Sequence, residues 1–408
     1  MLKVKDRIDA LSGIRIFLIL SIAAGHFIES YISHLPQWQQ GLFTNYYFST
    51  SFFFILSGFI LTYVYFDDER GIRIPVKRFL HSRLSKIYPI HLLFIVIMAP
   101  RFFSMEGSLI PGTDITITKP YIIGSFFSQV FLLDAWNPVS LSVNGPAWSV
   151  SALFFFYLLF PYFCRIIKND TVSQLQKKTL TLWAIYLIYP ICYIFFDLDS
   201  QHPIFEGLLH HNPLLRLPEF LIGMLVCRIY QINQQNDQLI NTPFYVRLSP
   251  SLMLIVAILA YAIFPVFIPY ALLHNGLFLP IQLVLILSLA ANRDLTTRFL
   301  SHPFILKVSN ASLTIFIAHY FILGWWGRVD QAFRFFSSLH WRELFEVRIF
   351  LNKLIQLKNQ PTDVSFTSFL IGLGVLVTVS YFLQMYFVNP IGKLFSYQQK
   401  PSRVLVNS

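Results

Sequence analysis

Charge is scarce in this chain. Only 12% of its 408 residues are Asp, Glu, Lys or Arg, about half the share found in a soluble domain. That shortage excludes a soluble globular enzyme, a disordered chain and a nucleic-acid reader. Cysteine is nearly missing too: Cys164, Cys192 and Cys227 stand alone in apolar stretches, with no CxxC and no metal-like spacing. A disulfide framework or a metal site is therefore not expected. There is no phosphate-binding glycine loop, since Gly372-Leu373-Gly374 is a lone pair of glycines inside an apolar run. Repeats, low-complexity linkers and a second soluble domain are also absent. The whole of 1–408 reads as one membrane domain without an appended soluble unit.

What is abundant is apolar surface: 55% hydrophobic residues, including 43 Phe, 20 Tyr and 7 Trp, and a mean hydropathy of +0.58. A membrane-spanning helix needs about 20 mostly apolar residues, and ten windows satisfy that. They are Leu11 to Ile32, Asn45 to Phe66, Ile87 to Phe103, Trp148 to Cys164, Leu180 to Phe196, Leu214 to Tyr230, Ser249 to Phe267, Ala271 to Ala291, Val308 to Trp326 and Ser365 to Phe387. The fold expected is an all-α polytopic membrane protein of about ten helices, with both termini cytoplasmic. Arg15 interrupts the first window and no small-residue cleavage site follows it, so this helix is expected to stay as a span rather than be cleaved.

The net charge of +11, from 31 basic against 20 acidic residues, is first a topology signal. With Lys3, Lys5 and Arg7 inside, the basic loop 67–86 and the segments 165–178, 228–247 and 293–307 fall on the same side, as does the tail with Lys393, Lys400 and Arg403. That places about 21 of the 31 basic residues inside and about nine outside. Most of the outer ones lie in the amphipathic segment 328–363, which fits a helix lying on the membrane surface.

An ionisable group within a span is costly and marks a functional candidate. Four stand out: Arg15, His26, Arg216 and His319. His26 lies eleven positions beyond Arg15, three helical turns plus about 20°, so both lie on one face about 16 Å apart. Glu29 lies near the same face. The separation suits a long ligand with an anionic end, such as an acyl-CoA, with Arg15 at its phosphates and His26 at the thioester. His26 would act there as general base or transient acyl carrier, oriented by Glu29. The plainer readings are a snorkelling Arg15, a packing His26 and a solvated Glu29. Ser57-Gly58 in SFFFILSGFI reads first as a close helix contact, and the Ser57 hydroxyl, the Ser149 hydroxyl and a backbone N–H are open candidates for the oxyanion. Arg216 could bridge to Glu219 at i+3 or bind an anionic acceptor.

These motifs, in this order, resemble the membrane-bound acyltransferase-3 family, bacterial O-acyltransferases that modify surface sugars. The matching stretches are IDALSGIR (8–15) with His26 beyond it, FFILSGF (53–59), RFLHSRLSKIYP (78–89), NGPAWSVSALFFFYLLFP (144–161), RLPEFLIGML (216–225) and SLTIFIAH (312–319). The resemblance covers most of the chain and leaves 328–358 unmatched. It implies donor binding by Arg15, Arg83 and Lys86 and chemistry at His26, for which Glu29 is the acid that helix spacing offers. Contacts to the acceptor would come from Arg216, Trp148, Ser149, His319 and Ser57. It further implies acetyl-CoA as co-substrate with no metal, and a glycan or lipid-linked glycan as acceptor. Anionic lipids would be neighbours, nucleic acid would play no part, and the location would be the bacterial inner membrane. One departure stands out: many relatives carry a Glu after the WS motif, where this chain has Ala152, Leu153 and Phe154. A carrier for an anionic lipid-linked glycan, or a silent partner in a glycan-assembly complex, is the rival reading.

Overall fold

The computed structural model describes residues 8–32, 47–110, 113–139, 141–198, 203–235, 249–263, 268–291, 294–338 and 365–395. Eleven longer helices carry the architecture: α1 (Asp9–Ile32), α2 (Tyr47–Tyr65), α3 (Val76–Phe103), α4 (Lys119–Val130), α5 (Trp148–Ile167), α6 (Val172–Phe195), α7 (Pro213–Gln235), α8 (Pro250–Ile263), α9 (Leu279–Ala291), α10 (Ser312–Ser338) and α11 (Phe366–Leu383). Among the described residues the only strands are two of two residues each, Phe66–Asp67 and Gly71–Ile72, in a tight hairpin. The protein is all-α and polytopic.

Each of the ten apolar windows holds a helix, but they do not pass as spans equally. Seven helices are long and apolar enough to cross a membrane, and an eighth results if Pro303–Ser309 and α10, bent by 61°, count as one. Of the other two windows, α7 is diluted by Arg216, Glu219 and Arg228, and α8 has 14 described residues. Residues 264–267 of the α8 window, the basic residues Lys3, Lys5, Arg7, Arg247, Arg293, Lys400 and Arg403, and 339–363 lie outside the described residues.

The structure corrects several boundaries. α3 begins at Val76 rather than Ile87, so the basic run of Lys77, Arg78, Arg83 and Lys86 is helical. Its buried residues Phe79, Ile87, Ile90 and Phe94 recur at helical spacing, a pattern that a search for unbroken hydrophobicity passes over. α6 starts at a capping box, in which Thr171 and Gln174 each satisfy the other's backbone N–H, upstream of the apolar run. The eighth window breaks at a turn around Gly276, whose φ is +88°, and the ninth at Asn310-Ala311. Residues 328–338 continue α10. α4 was not foreseen, being short and amphipathic.

α2 and α7 form the closest pair. A Cβ on Gly58 would lie 2.0 Å from the Phe220 carbonyl oxygen, and one on Gly223 would lie 2.0 Å from that of Ile55. Backbone meets backbone there, and neither can yield. Gly58→Val or Gly223→Val is therefore expected to cost at least about 1–3 kcal/mol by overpacking, seen as a lower melting temperature in detergent. Gly374→Ala, which meets nothing within 4 Å, serves as the neutral control; equal melting of all three would contradict this packing. α1 lies centrally, touching α2, α9, α10 and the short helices 295–300 and 303–309, and Ser309 Oγ donates to the Ser12 carbonyl.

Candidate active site

At one end of α1 a cleft of about 210 Å³ is lined by Ser12 and Arg15, by Phe59, Tyr63 and Tyr65 from α2, and by Arg83 and Lys86 from α3. The early start of α3 is what brings Arg83 and Lys86 here. The Arg15 guanidinium carbon stands 5.8 Å from the Phe53 ring centroid. Arg83 donates to the Tyr65 hydroxyl at 2.5 Å and lies 5.1 Å from that ring, within cation–π range. Three cations converging on one cleft make a ready site for a phosphate-bearing ligand. A larger cavity of about 420 Å³ between α5, α6 and α7 is lined mainly by apolar residues such as Phe163 and Leu221; it contains none of the candidate residues.

Along the same helix, about 16 Å away by helical rise, His26 meets His319 of α10, with ring centroids 5.4 Å apart. His319 is buried, and its Nδ1 lies 2.5 Å from the Phe316 carbonyl oxygen. The Phe316 ring stacks on Phe53, the ring beneath Arg15. Asn144 Nδ2 donates to the Ile317 carbonyl at 2.8 Å, pinning this turn of α10. Glu29 occupies the last turns of α1, but its side chain lies outside the described residues.

Trp148 opens α5 and packs its ring 4.9 Å from His210 and 4.7 Å from His211. Desolvation, then the charges of Arg216 and His26, push His211 down to about 3, so it stays neutral. Arg216 is fully buried, and each of its side-chain nitrogens is hydrogen-bonded. Its Nε donates to the His210 carbonyl, its Nη1 to Tyr186, Glu219 and the His274 carbonyl, and its Nη2 to His210 Nδ1. Of the two arrangements open for Arg216, the i+3 bridge to Glu219 is present at 3.1 Å. Glu219 also accepts from Ser51 at 2.6 Å and from Tyr186 at 2.9 Å.

A polar network supports the α10 turn from the segment between α3 and α5. Gln129 accepts from the Asn144 backbone N–H and donates to Asp134, while His91 bonds to the Gln129 carbonyl. Burial pushes the Asp134 carboxyl from 3.8 up to about 6 against the hydrogen bonds from Gln129, Ser151 and Ser142. Over that window the folded chain holds more proton than the unfolded one, so stability falls as pH rises from about 4 to about 6. Asp134→Asn is expected to flatten the melting temperature across this range, and an unchanged slope would exclude Asp134 as its source.

The two candidate serine hydroxyls are spent locally. Ser57 Oγ donates to the Phe53 carbonyl at 2.7 Å and Ser149 Oγ to the Pro146 carbonyl at 3.1 Å. After the WS motif, Ala152 and Leu153 are buried in an apolar cluster with Phe156 and Phe220. The three cysteines are free thiols, with Cys164 and Cys227 buried. Among the described residues no three His, Cys, Asp or Glu side chains could hold a metal ion. The motif reading had given no role to His210, His211, His274, Tyr186, Asn144, Gln129 or Asp134. The adjacent His210-His211 and the Asn144 that opens NGPAWS were the available signals.

Comparison with known proteins places these residues in context. Residues 8–385 match the family model described as an acyltransferase domain. The chain is similar to acyltransferase MdmB of Streptomyces mycarofaciens, 26% identical over 240 residues, covering 55% of this chain and 57% of that protein. It is also similar to an uncharacterized protein of Haemophilus influenzae, 26% identical over 190 residues, covering 45% of this chain and 75% of the relative. The chain thus spans little more than half the length of the first of these relatives. No solved structure matches.

Proposed function

Because the chain belongs to the acyltransferase-3 family, which its residues 8–385 match, we propose that it transfers an acyl group from acyl-CoA to a sugar hydroxyl. The acyl group in this reading is acetyl, and the acceptor is a cell-surface or lipid-linked glycan reached from the outer side of a bacterial inner membrane. One observation carries the proposal. Arg15, Arg83 and Lys86 surround a single cleft, and His26, on the helix that carries Arg15, meets His319 at the far end of the same face. An extended pantetheine arm joins phosphate to thioester over roughly 15–20 Å, close to the Arg15 to His26 rise.

In this reading the three cations hold the CoA phosphates, and the two imidazoles serve the reacting carbonyl and the acceptor hydroxyl. Conversion of a thioester to an ester supplies the driving force, so no nucleotide site is needed. Arg216, paired with Glu219, holds His210 and the His274 carbonyl and in this reading meets the acceptor side through them. Trp148 packs against His210 and His211 on the same side.

Transfer of label from [14C]acetyl-CoA to glycan in reconstituted vesicles tests the proposal, as does mass spectrometry of surface glycans with and without the gene. Unlabelled glycan crossing the vesicle membrane without acylation would mark a carrier instead. Arg83→Ala removes a charged partner of the donor far from the reacting carbon. Such a bond is worth about 1.5–3 kcal/mol, so KM for acyl-CoA is expected to rise about 10- to 100-fold with kcat little changed. A fall in kcat at constant KM would place Arg83 elsewhere.

A further inference from the structure

We propose that Nε2 of His319 is the base that takes the proton from the acceptor hydroxyl. The proposal rests on the acyl-transfer reading above and assigns one of its central roles.

A carbonyl oxygen can only accept a hydrogen bond. The 2.5 Å contact between Phe316 O and His319 Nδ1 therefore requires a proton on Nδ1. A neutral imidazole has one such proton, so Nε2 carries the lone pair. That atom is buried and has no hydrogen-bond partner among the described residues. A buried acceptor left unsatisfied is costly, and a bound hydroxyl would satisfy it. Phe316 thus does for His319 what the third member of a catalytic triad does for its imidazole: it fixes tautomer and direction. The turn that presents this carbonyl is itself held, because Asn144 donates to the next carbonyl, that of Ile317, at 2.8 Å.

His26 complements this arrangement. Its ring lies 5.4 Å from that of His319, so a second positive charge is repelled and the pair holds one added proton. As the acceptor O–H breaks, its proton moves to Nε2 and the oxygen bonds to the thioester carbonyl carbon. The tetrahedral intermediate then expels sulfur, and the proton passes from the imidazole pair to the departing thiolate, giving ester and free CoA thiol.

The test uses two near-isosteric variants of the full chain in cells deleted for the gene. His319→Asn keeps a donor where Nδ1 stood, and so the bond to Phe316, but has no base. His319→Gln puts an amide where Nε2 stood. Both are expected to lower [14C]acetyl label in the surface-glycan fraction by about 100-fold or more at equal membrane protein level. His319→Asn within about threefold of the unaltered chain would show a merely structural histidine and overturn the proposal, leaving acyl transfer intact. Absence of label with the unaltered chain would overturn acyl transfer itself, and the base with it. Nitrogen-15 spectra of the full chain in nanodiscs, with His319 assigned by difference from His319→Asn, read the tautomer without turnover. An Nε2 shift of the lone-pair type supports the proposal, and a protonated Nε2 overturns it.

Discussion

His26→Ala is expected to cut acyl transfer by about 10²- to 10⁴-fold, the usual weight of a single acid–base group, while the chain still inserts and still binds acyl-CoA. Removal of the ring takes one member from the imidazole pair and leaves His319 with no neighbour to share its proton. The cleft of Arg15, Arg83 and Lys86 is untouched, because Arg15 lies about three turns of α1 from His26 and the other two on α3 beside it. The measurement is label transfer from [14C]acetyl-CoA, beside equilibrium binding of CoA to the same preparation. Ordinary acylation by this variant would sink the mechanism. Loss of CoA binding together with activity would mean that the two ends of α1 are not separable.

The second large effect concerns stability. Arg216→Ala leaves the Glu219 carboxylate fully buried with only Ser51 and Tyr186 as donors. Removal of one partner from a buried ion pair costs about 3–5 kcal/mol, enough to deplete the folded protein from membranes. The double variant Arg216→Ala with Glu219→Gln removes the stranded charge as well and is expected to regain part of that loss. Fluorescence-detected size exclusion in detergent reads both. If the single and double variants accumulate equally, the carboxylate is not stranded by the loss of Arg216, and the pair is not the structural hub its hydrogen bonds describe.

The helices, and the cations that line the cleft at one end of α1, were largely legible from residue order. Apolar runs identify spans because a backbone in lipid must satisfy its own hydrogen bonds, and that logic found every window now occupied by a helix. It failed where a helix outlasts its apolar run. α3 starts eleven residues upstream of Ile87, through Arg78, Arg83 and Lys86, because one face of that stretch is buried while the other carries charge. Arg15 and His26 were paired by helical arithmetic alone, and Arg83 and Lys86 entered through a motif. What local spacing could not supply was contact across the chain. The meeting of His26 with His319, of Arg216 with His210, Tyr186 and the His274 carbonyl, and of Asn144 with Ile317 depends on which helices lie side by side. Glu219 was visible at i+3 from Arg216, but Ser51, 168 residues away, was not.

Ser12 and Ser309, joined by a hydrogen bond, stand 297 residues apart in the chain, and this bears on how the protein is made. During synthesis α1 reaches the bilayer long before α10 exists, carrying Arg15 into lipid without Phe53 beneath it or α3 beside it. An ionisable side chain within an isolated span is expensive, so this helix is less firmly held until its neighbours arrive. A ribosome stalled between α3 and α10 leaves the cleft of Arg15, Arg83 and Lys86 complete and His26 without His319 beside it.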